Sequence, residues 1–366
     1  MSTSAGGAET LFSAFTIRGL TIPNRIVMSP MCMYTSGGDG RPTDWHVVHL
    51  GSRAAGGTGL VFTEATAVSA DGRITPGDLG IWSDEHVDGH RRLTAAVAAH
   101  GAVPGIQIAH AGRKGGRTRP WEGNRPLPRE AWGQVLAPSA EPFKPDWHLP
   151  TAMTTSDIEG IVSDFSVAAR RAHEAGYRVL EGHFAHGYLM HQFLSPLANR
   201  RTDRYGGSLE NRARLPLAVA RAMRQAWPDD LPLFIRLSMI DWLPGGISLD
   251  ETVQVASWMR DEGVDLIDGT SSGILPGEAI PEEPLYHLGM AGEVRRRARI
   301  ATSAVGRVRT TSEACEALRS GNADLVFIGR AILQDAYWAR RAERELGAEN
   351  LVGVPVQYRR ATQHLL

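Results

Sequence analysis

Eight short apolar runs, each followed by a stretch with helical spacing, constrain this chain more than any other feature. They are Arg25–Pro30, Gly59–Thr66, Val103–Ala109, Tyr177–Phe184, Leu233–Ser238, Val264–Thr270, Ile300–Gly306 and Ala323–Arg330. Runs with little polar alternation read as strands covered on both faces, the state of parallel strands in α/β proteins. Between them apolar residues recur at helical intervals. Val87, Leu93, Val97 and Ala98 do so within Asp84–His100. Ile158, Ile161, Val162 and Phe165 do so within Ser156–Ala175, which opens on a Ser/Asp cap signal. Leu249–Glu262, Thr311–Arg319 and Ala331–Leu346 behave similarly. Eight such units in about 300 residues fit a (β/α)8 TIM barrel. A doubly wound sheet is the competing architecture. No G-x-G-x-x-G turn follows an early strand, which counts against a dinucleotide-binding sheet.

The chain, 1–366, is read as one barrel domain, with its core at about 22–346. Leu11–Thr21, with Phe12, Phe15, Ile17 and Leu20, resembles a hairpin that plugs the bottom of the barrel. Arg113–Trp147 is a long loop after the third strand, rich in Pro, Gly, Trp and Arg. Loops of this length are uncommon unless functional or disordered. Its position predicts a lid or an interface, and Arg113, Arg117, Arg119, Arg125 and Arg129 could contact phosphates. The plainer alternative is a solvated surface loop.

Composition narrows the partners. A formal net charge of -1 gives no support to nucleic-acid or membrane-surface binding. No apolar run approaches the ~20 residues of a membrane span. Two cysteines, Cys32 and Cys315, exclude a disulfide framework and a four-cysteine iron–sulfur cluster. Met1–Glu9 has no apolar stretch of the kind found in secretory leaders, so the expectation is a soluble cytoplasmic protein.

Barrels of this type carry their active sites at the C-terminal ends of the strands. The residues that fall there are Ser29-Pro30-Met31-Cys32-Met33-Tyr34, Glu64-Ala65-Thr66, Gln107 with His110, then His183, His186 and Tyr188. Arg236, Ser271-Ser272-Gly273, Gly306-Arg307 and Gly329-Arg330 complete the set. His183-Phe184-Ala185-His186-Gly187-Tyr188 places two imidazoles and a phenol within six residues. Imidazole nitrogens can hold an oxygen that gains negative charge, and a phenol can deliver a proton. That combination suits proton-coupled reduction or isomerisation at a carbonyl. Glycines at the seventh and eighth strand ends let backbone N–H groups approach a phosphate, and Arg330 can add a charge-assisted contact. Gln107 and Arg236 could read the polar edge of a flat heterocycle, so a phosphorylated flavin fits the residue chemistry.

Plainer alternatives stand beside each residue. The histidines could be structural, Cys32 inert packing, Arg236 a structural ion pair and Tyr34 a cap on the barrel. His46 and His49 have a metal-like spacing but no matching cysteine or carboxylate set, so they are read as structural and no metal site is expected.

Several motifs together resemble the old yellow enzymes, flavin-dependent ene-reductases, and most nearly their bacterial YqjM-type and xenobiotic-reductase-type subgroup. They are Asn24-Arg25-Ile26-Val27-Met28-Ser29-Pro30-Met31-Cys32-Met33-Tyr34, Gly105-Ile106-Gln107-Ile108-Ala109-His110-Ala111-Gly112-Arg113-Lys114, His183–Tyr188, Phe193-Leu194-Ser195-Pro196, Asn199–Ser208 and Phe327-Ile328-Gly329-Arg330. The resemblance runs from about Leu11 to Arg360. It implies non-covalent FMN, with NAD(P)H as hydride donor. Ser29, Pro30, Met31, Cys32, Ala65, Gln107, His183 and Arg236 then belong to the isoalloxazine and ribityl part of the site. Gly306, Arg307, Gly329 and Arg330 belong to its phosphate. His183 and His186 match the pair that holds a substrate carbonyl or nitro oxygen, Tyr188 the proton donor, and Tyr34 a second substrate-side phenol. Cys32 matches a cysteine that tunes the flavin.

The implied reaction is reduction of the activated C=C bond of an enone or nitro compound. The implied assembly is a homodimer or homotetramer, with the segment 347–366 at the subunit interface and Arg360 of Gln357-Tyr358-Arg359-Arg360 reaching a neighbouring active site. The sequence departs from the family in three places. Ala361 stands where a Trp is frequent, and Gly182 where a bulkier residue is usual. The long loop carries Arg119-Pro120-Trp121-Glu122-Gly123, similar to the xenobiotic-reductase branch. Two rival readings are a metal-dependent barrel hydrolase using His183, His186 and His191, and an FMN barrel acting on tRNA uridines. The near-neutral charge argues against the second.

Overall fold

The computed structural model describes residues 11–348, 352–358 and 360. The expectations for Met1–Glu9 and Ala361 lie outside these residues. Strands β1 (Phe15–Ile17) and β2 (Leu20–Ile22) form an antiparallel hairpin. The barrel follows with β3 (Ile26–Met28), β4 (Leu60–Ala67) and β5 (Val103–Ala109). β6 (Leu136–Ala137) of the long loop pairs with β7 (Thr151–Ala152) just beyond the loop's end. The remaining barrel strands are β8 (Val179–Phe184), β9 (Leu233–Ser238), β10 (Leu266–Thr270), β11 (Ala301–Ala304) and β12 (Leu325–Ile328). They close in the order β10-β11-β12-β3-β4-β5-β8-β9, and every barrel pairing is parallel. The eight-stranded (β/α)8 reading therefore holds, and the doubly wound sheet does not.

Strand alternation builds the interior in layers, because residues two apart point the same way. The lower layer is apolar: Val27, Leu60, Phe62, Val103, Val179, Phe234, Leu266, Leu325 and Phe327 pack together with Leu20 and Ile22 of the hairpin. The hairpin thus plugs the barrel bottom as expected. Two residues further along, the same faces turn polar. Val179 is followed by Glu181 and His183, Phe234 by Arg236, Leu266 by Asp268, and Ala301 by Ser303. The apolar plug below and the polar layer above fix which end of the barrel can do chemistry.

β4 carries a register shift between Thr63 and Ala65. An extra residue re-aims a side chain locally. Here Glu64 accepts from the Met33 backbone N–H at 2.7 Å and meets His46 Nε2 at 3.0 Å.

Three of the outer helices open on reciprocal caps, each a side chain accepting from an N3 backbone N–H that a carboxylate answers. These are Thr154 with Asp157, Ser248 with Glu251 and Thr310 with Glu313. The last expected helix divides. Arg330–Gln334 and Trp338–Glu345 are separate, because Asp335 accepts from the Tyr337 backbone N–H at 2.8 Å and turns the chain.

Gly182 has a packing explanation. A Cβ there would lie 2.8 Å from both Ile235 Cδ1 and Phe184 Cε1, so those side chains already fill the space.

Candidate active site

A cavity of about 730 Å³ opens at the C-terminal end of the barrel, within the roughly 300–1,000 Å³ range of cofactor sites. Its walls bring together nine of the expected residues: Ser29, Pro30, Met31, His186, Arg236, Gly306, Arg307, Gly329 and Arg330. Gly306 has φ +106°, and a Cβ there would stand 2.7 Å from His287 Nδ1, so the turn after β11 requires glycine. A Cβ on Gly329 would meet only Met31 Sδ at 3.6 Å, so the backbone there faces open space.

His183, His186 and Tyr188 cluster beside this cavity. The His183 ring centroid is 5.1 Å from that of His186 and 4.9 Å from that of Tyr188, both edge-on. His186 has φ 57°, which lifts its ring out of the strand direction. Its Nε2 meets Thr270 Oγ1 at 2.9 Å. His183 Nδ1 accepts from the Ala185 backbone N–H at 3.2 Å. The ring proton of a neutral His183 is therefore on Nε2, where it can donate to a ligand. Burial, with Arg236 and Lys114 nearby, holds both imidazoles well below their ordinary range, so both are neutral at pH 7. Burial also raises the Tyr188 phenol, with Cys32 a smaller cause, so it remains a proton carrier.

Cys32 and Tyr34 form the adjoining wall. The Cys32 thiol hydrogen-bonds with Tyr34 and the Ala65 backbone, and burial raises it well above the ordinary thiol range. It is a neutral thiol, not a thiolate. Tyr34 is raised by Cys32 and by burial. Behind them, the Glu64–His46 pair fixes the Met33 backbone. His46 therefore has a carboxylate partner that the sequence did not reveal, in a hydrogen bond and not a metal set. Ala65 and Tyr188 also line a small void with Asp78. Gln107 is not on the cavity wall itself but lies in the polar layer just beneath it, in register with Glu181, which joins it to Arg236.

The long loop folds against this wall but not at the phosphate end. None of Arg113, Arg117, Arg119, Arg125 and Arg129 lines the cavity, which corrects the expectation that they contact phosphates. Three of them satisfy backbone carbonyls and Arg117 Nη1 donates to Asn124 Oδ1 at 2.7 Å, whereas Arg125 is exposed. Arg113 Nη2 donates to the Ile274 carbonyl at 2.8 Å, Arg119 Nε to the Tyr34 carbonyl at 2.9 Å, and Arg129 Nη2 to Leu149 at 2.9 Å. Trp121 meets Tyr34 edge-on with ring centroids 6.1 Å apart. The loop is a clamp on Tyr34.

Lys114 was legible only as part of a motif, yet it braces the two turns that carry His186 and Gly273. Its Nζ donates to the carbonyls of His186 and Gly273 at 2.7 and 2.9 Å and lies 5.1 Å from the Tyr188 ring centroid. Burial and Arg117 lower its ammonium to about 7. Thr270, Tyr286 and His287 are further residues on the cavity wall that sequence reasoning missed.

His191 leaves no nitrogen free for a metal. Its Nδ1 accepts from Gly187 N–H at 2.8 Å and its Nε2 meets Asp241 at 2.8 Å. Among the described residues no group of three or more His, Cys, Asp or Glu side chains is placed to hold a metal ion. Arg360 is exposed on the single chain and does not line the cavity.

A parallel barrel with a glycine–arginine cradle at strands β11 and β12, and neutral imidazoles beside a buried arginine, has the parts that a barrel flavoprotein needs. The chain belongs to the NADH:flavin oxidoreductase / NADH oxidase family, whose model matches residues 10–349. It is 48% identical over 351 residues to an NADPH dehydrogenase of Geobacillus sp. (strain WCH70), covering 96% of this chain and 98% of that one. It is 46% identical over 354 residues to an NADPH dehydrogenase of Bacillus subtilis (strain 168), covering 96% and 99%. Its fold is similar to the old yellow enzyme homologue from Zymomonas mobilis, with a TM-score of 0.77 at 26% identity, covering 92% of this chain and 93% of that one. The protein is an NAD(P)H-dependent flavin oxidoreductase of the old yellow enzyme type, with FMN as cofactor and NAD(P)H as hydride donor.

The residues present fit that cofactor. Arg236 Nη2 is an ion-pair contact of Asp268 but has no well-aligned hydrogen bond, which leaves donor capacity toward the cavity. The open backbone at Gly329, beside Arg330, suits the phosphate. Among the described residues, no helix is long and apolar enough to cross a membrane.

Proposed function

We propose that this protein is an ene-reductase that reduces the activated C=C bond of α,β-unsaturated carbonyl or nitro compounds. The observation that carries the proposal is the cluster of neutral His183, neutral His186 and protonated Tyr188 beside the cavity. Bound FMN supplies the hydride, received in turn from NAD(P)H.

The chain's own residues supply the rest. His183 Nε2–H and the His186 ring hold the carbonyl or nitro oxygen and stabilise the charge that develops there. Tyr188 gives the proton to the carbon next to the activating group. Tyr34 lines the substrate side, and Cys32 presents a thiol to the flavin. Ser29, Pro30, Met31, Ala65, Gln107 and Arg236 hold the ring and ribityl chain, and Gly306, Arg307, Gly329 and Arg330 the phosphate. The whole chain acts as one barrel domain. It assembles as a homodimer or homotetramer in which the exposed Arg360 reaches a neighbouring site. The metal-hydrolase reading loses its third ligand, because both nitrogens of His191 are occupied.

The test is turnover by the purified yellow protein with NADPH and, in turn, an enone, a maleimide and a nitroalkene. Loss of the acceptor's conjugated absorbance at the rate of NADPH oxidation is expected. NADPH oxidation by oxygen alone, with every acceptor recovered intact, would overturn the proposal.

A further inference from the structure

A buried polar layer lies across the barrel between the apolar plug and the cavity. Neighbouring strands bring its members together: Gln107 faces Glu181 across β5 and β8, His183 faces Arg236 across β8 and β9, and Arg236 faces Asp268 across β9 and β10. Asp268 is well supplied with donors. Arg236 Nε donates to it at 2.5 Å, and Ser303 Oγ also donates to it. Glu181 is not. It is fully buried, its Oε1 accepts from Gln107 Nε2 at 2.7 Å, and Arg236 Nε is 3.8 Å away. Its Oε2 has no partner at all.

Charge counting decides how this layer is protonated. Two carboxylates share one guanidinium in a dry interior, so one of them holds a proton. The charged donor sits on Asp268, so the proton falls to Glu181. Burial first, and Asp268 second, push Glu181 up to about 8, so it is neutral at pH 7. The unpartnered Oε2 is the oxygen that carries the proton, and Oε1 is left as the acceptor. The Gln107 amide is thereby oriented: its NH2 points to Glu181, and its own carbonyl oxygen is left for another partner. A flavin's pyrimidine edge carries one N–H donor between two carbonyl groups. A fixed amide oxygen selects that donor, whereas a flipped amide would present NH2 instead.

We propose that Glu181 is a positioning residue for FMN, fixing through Gln107 which edge of that amide meets the isoalloxazine and keeping the layer next to the ring electrically neutral. Nothing in this requires a particular substrate. At alkaline pH an ionised Glu181 would place a negative charge near the ring and disfavour its electron-rich reduced form.

The experiment compares wild type, Glu181→Gln and Glu181→Leu. Each apoprotein is titrated with FMN, and each holoprotein's flavin reduction potential is measured from pH 6.5 to 9.5. Gln mimics the protonated acid, with an acceptor toward Gln107 and no titration. It should bind FMN within a few-fold of wild type but lose the extra downward break in potential near pH 8. Leu removes the acceptor and frees the amide. It should weaken FMN about tenfold, near 1.4 kcal/mol, and shift the visible bands. Leu binding FMN as tightly as wild type with unchanged bands would overturn the orienting role. A break that survives in Gln would overturn the assignment of the proton. If Leu fails to fold, the pH comparison of wild type with Gln decides alone. A wild-type protein without flavin would overturn the cofactor assignment and this proposal with it.

Discussion

Gly187 and Gly273 meet backbone to backbone: a Cβ on Gly187 would stand 1.9 Å from the Gly273 carbonyl oxygen. Both residues have positive φ, +70° and +91°. The turns after β8 and β10 can touch only because both lack side chains, and Lys114 donates to a carbonyl on each side of the contact. His186 and Tyr188 flank Gly187, so this contact sets where the two groups stand.

Gly187→Ala should therefore cost both stability and binding. The strained φ and the displaced backbone together cost about 2–4 kcal/mol. Denaturant unfolding measures this, and titration with a phenol ligand reads the displaced His186. A variant with wild-type stability and ligand affinity would remove the contact from the account of the site.

His183→Ala should weaken binding of a phenolate-like ligand by about 10–100-fold, the loss of one hydrogen bond to a charged group. The wild-type affinity should carry no imidazole titration between pH 6 and 8, because burial keeps both rings neutral there. Only the ligand's own ionisation should show. An additional break near 6.5 that disappears in the variant would mean that His183 binds as a cation.

The barrel was legible because eight buried parallel strands write themselves as apolar runs, and strand-end residues follow from that placement. Phe234 followed by Arg236 and Leu266 followed by Asp268 show the switch from plug to site within one strand. The missing parts depend on meetings that no local pattern encodes. Thr270 meets His186, Lys114 bridges two turns, and Glu64 is re-aimed by an irregular register. Likewise Gly182 makes sense only beside Phe184 and Ile235. The loop arginines were misread because composition suggests charge for a ligand, whereas Arg119 and Arg113 satisfy backbone carbonyls.

Lys114→Met should lower stability by about 1–3 kcal/mol for each carbonyl left without a donor. It should also change the pH profile. The folded ammonium titrates at about 7, below the ordinary 10.5, so between these values the unfolded state binds more protons. Stability from this group is complete above 10.5 and is lost as pH falls through 7. Wild type should gain stability relative to the variant between pH 7 and 10. Parallel profiles for the two proteins would contradict the buried-lysine account.

Tyr188→Phe isolates the proton from the hydride. The phenol lies against His183 with ring centroids 4.9 Å apart and remains protonated across the working range. Removing its hydroxyl leaves the ring packing and the glycine–arginine cradle intact. FMN content and the rate of flavin reduction by NADPH should stay within about twofold, while reoxidation by an enone should slow by about 10²–10⁴, the usual contribution of a positioned acid. Stopped-flow traces of the two half-reactions separate the effects. Equal losses in both halves would point to a disturbed cavity, and an undiminished second half would show that the proton comes from elsewhere. The long loop gives a reason to expect the selective result: Trp121 and Arg119 hold Tyr34, so the second phenol keeps its place when the first is lost.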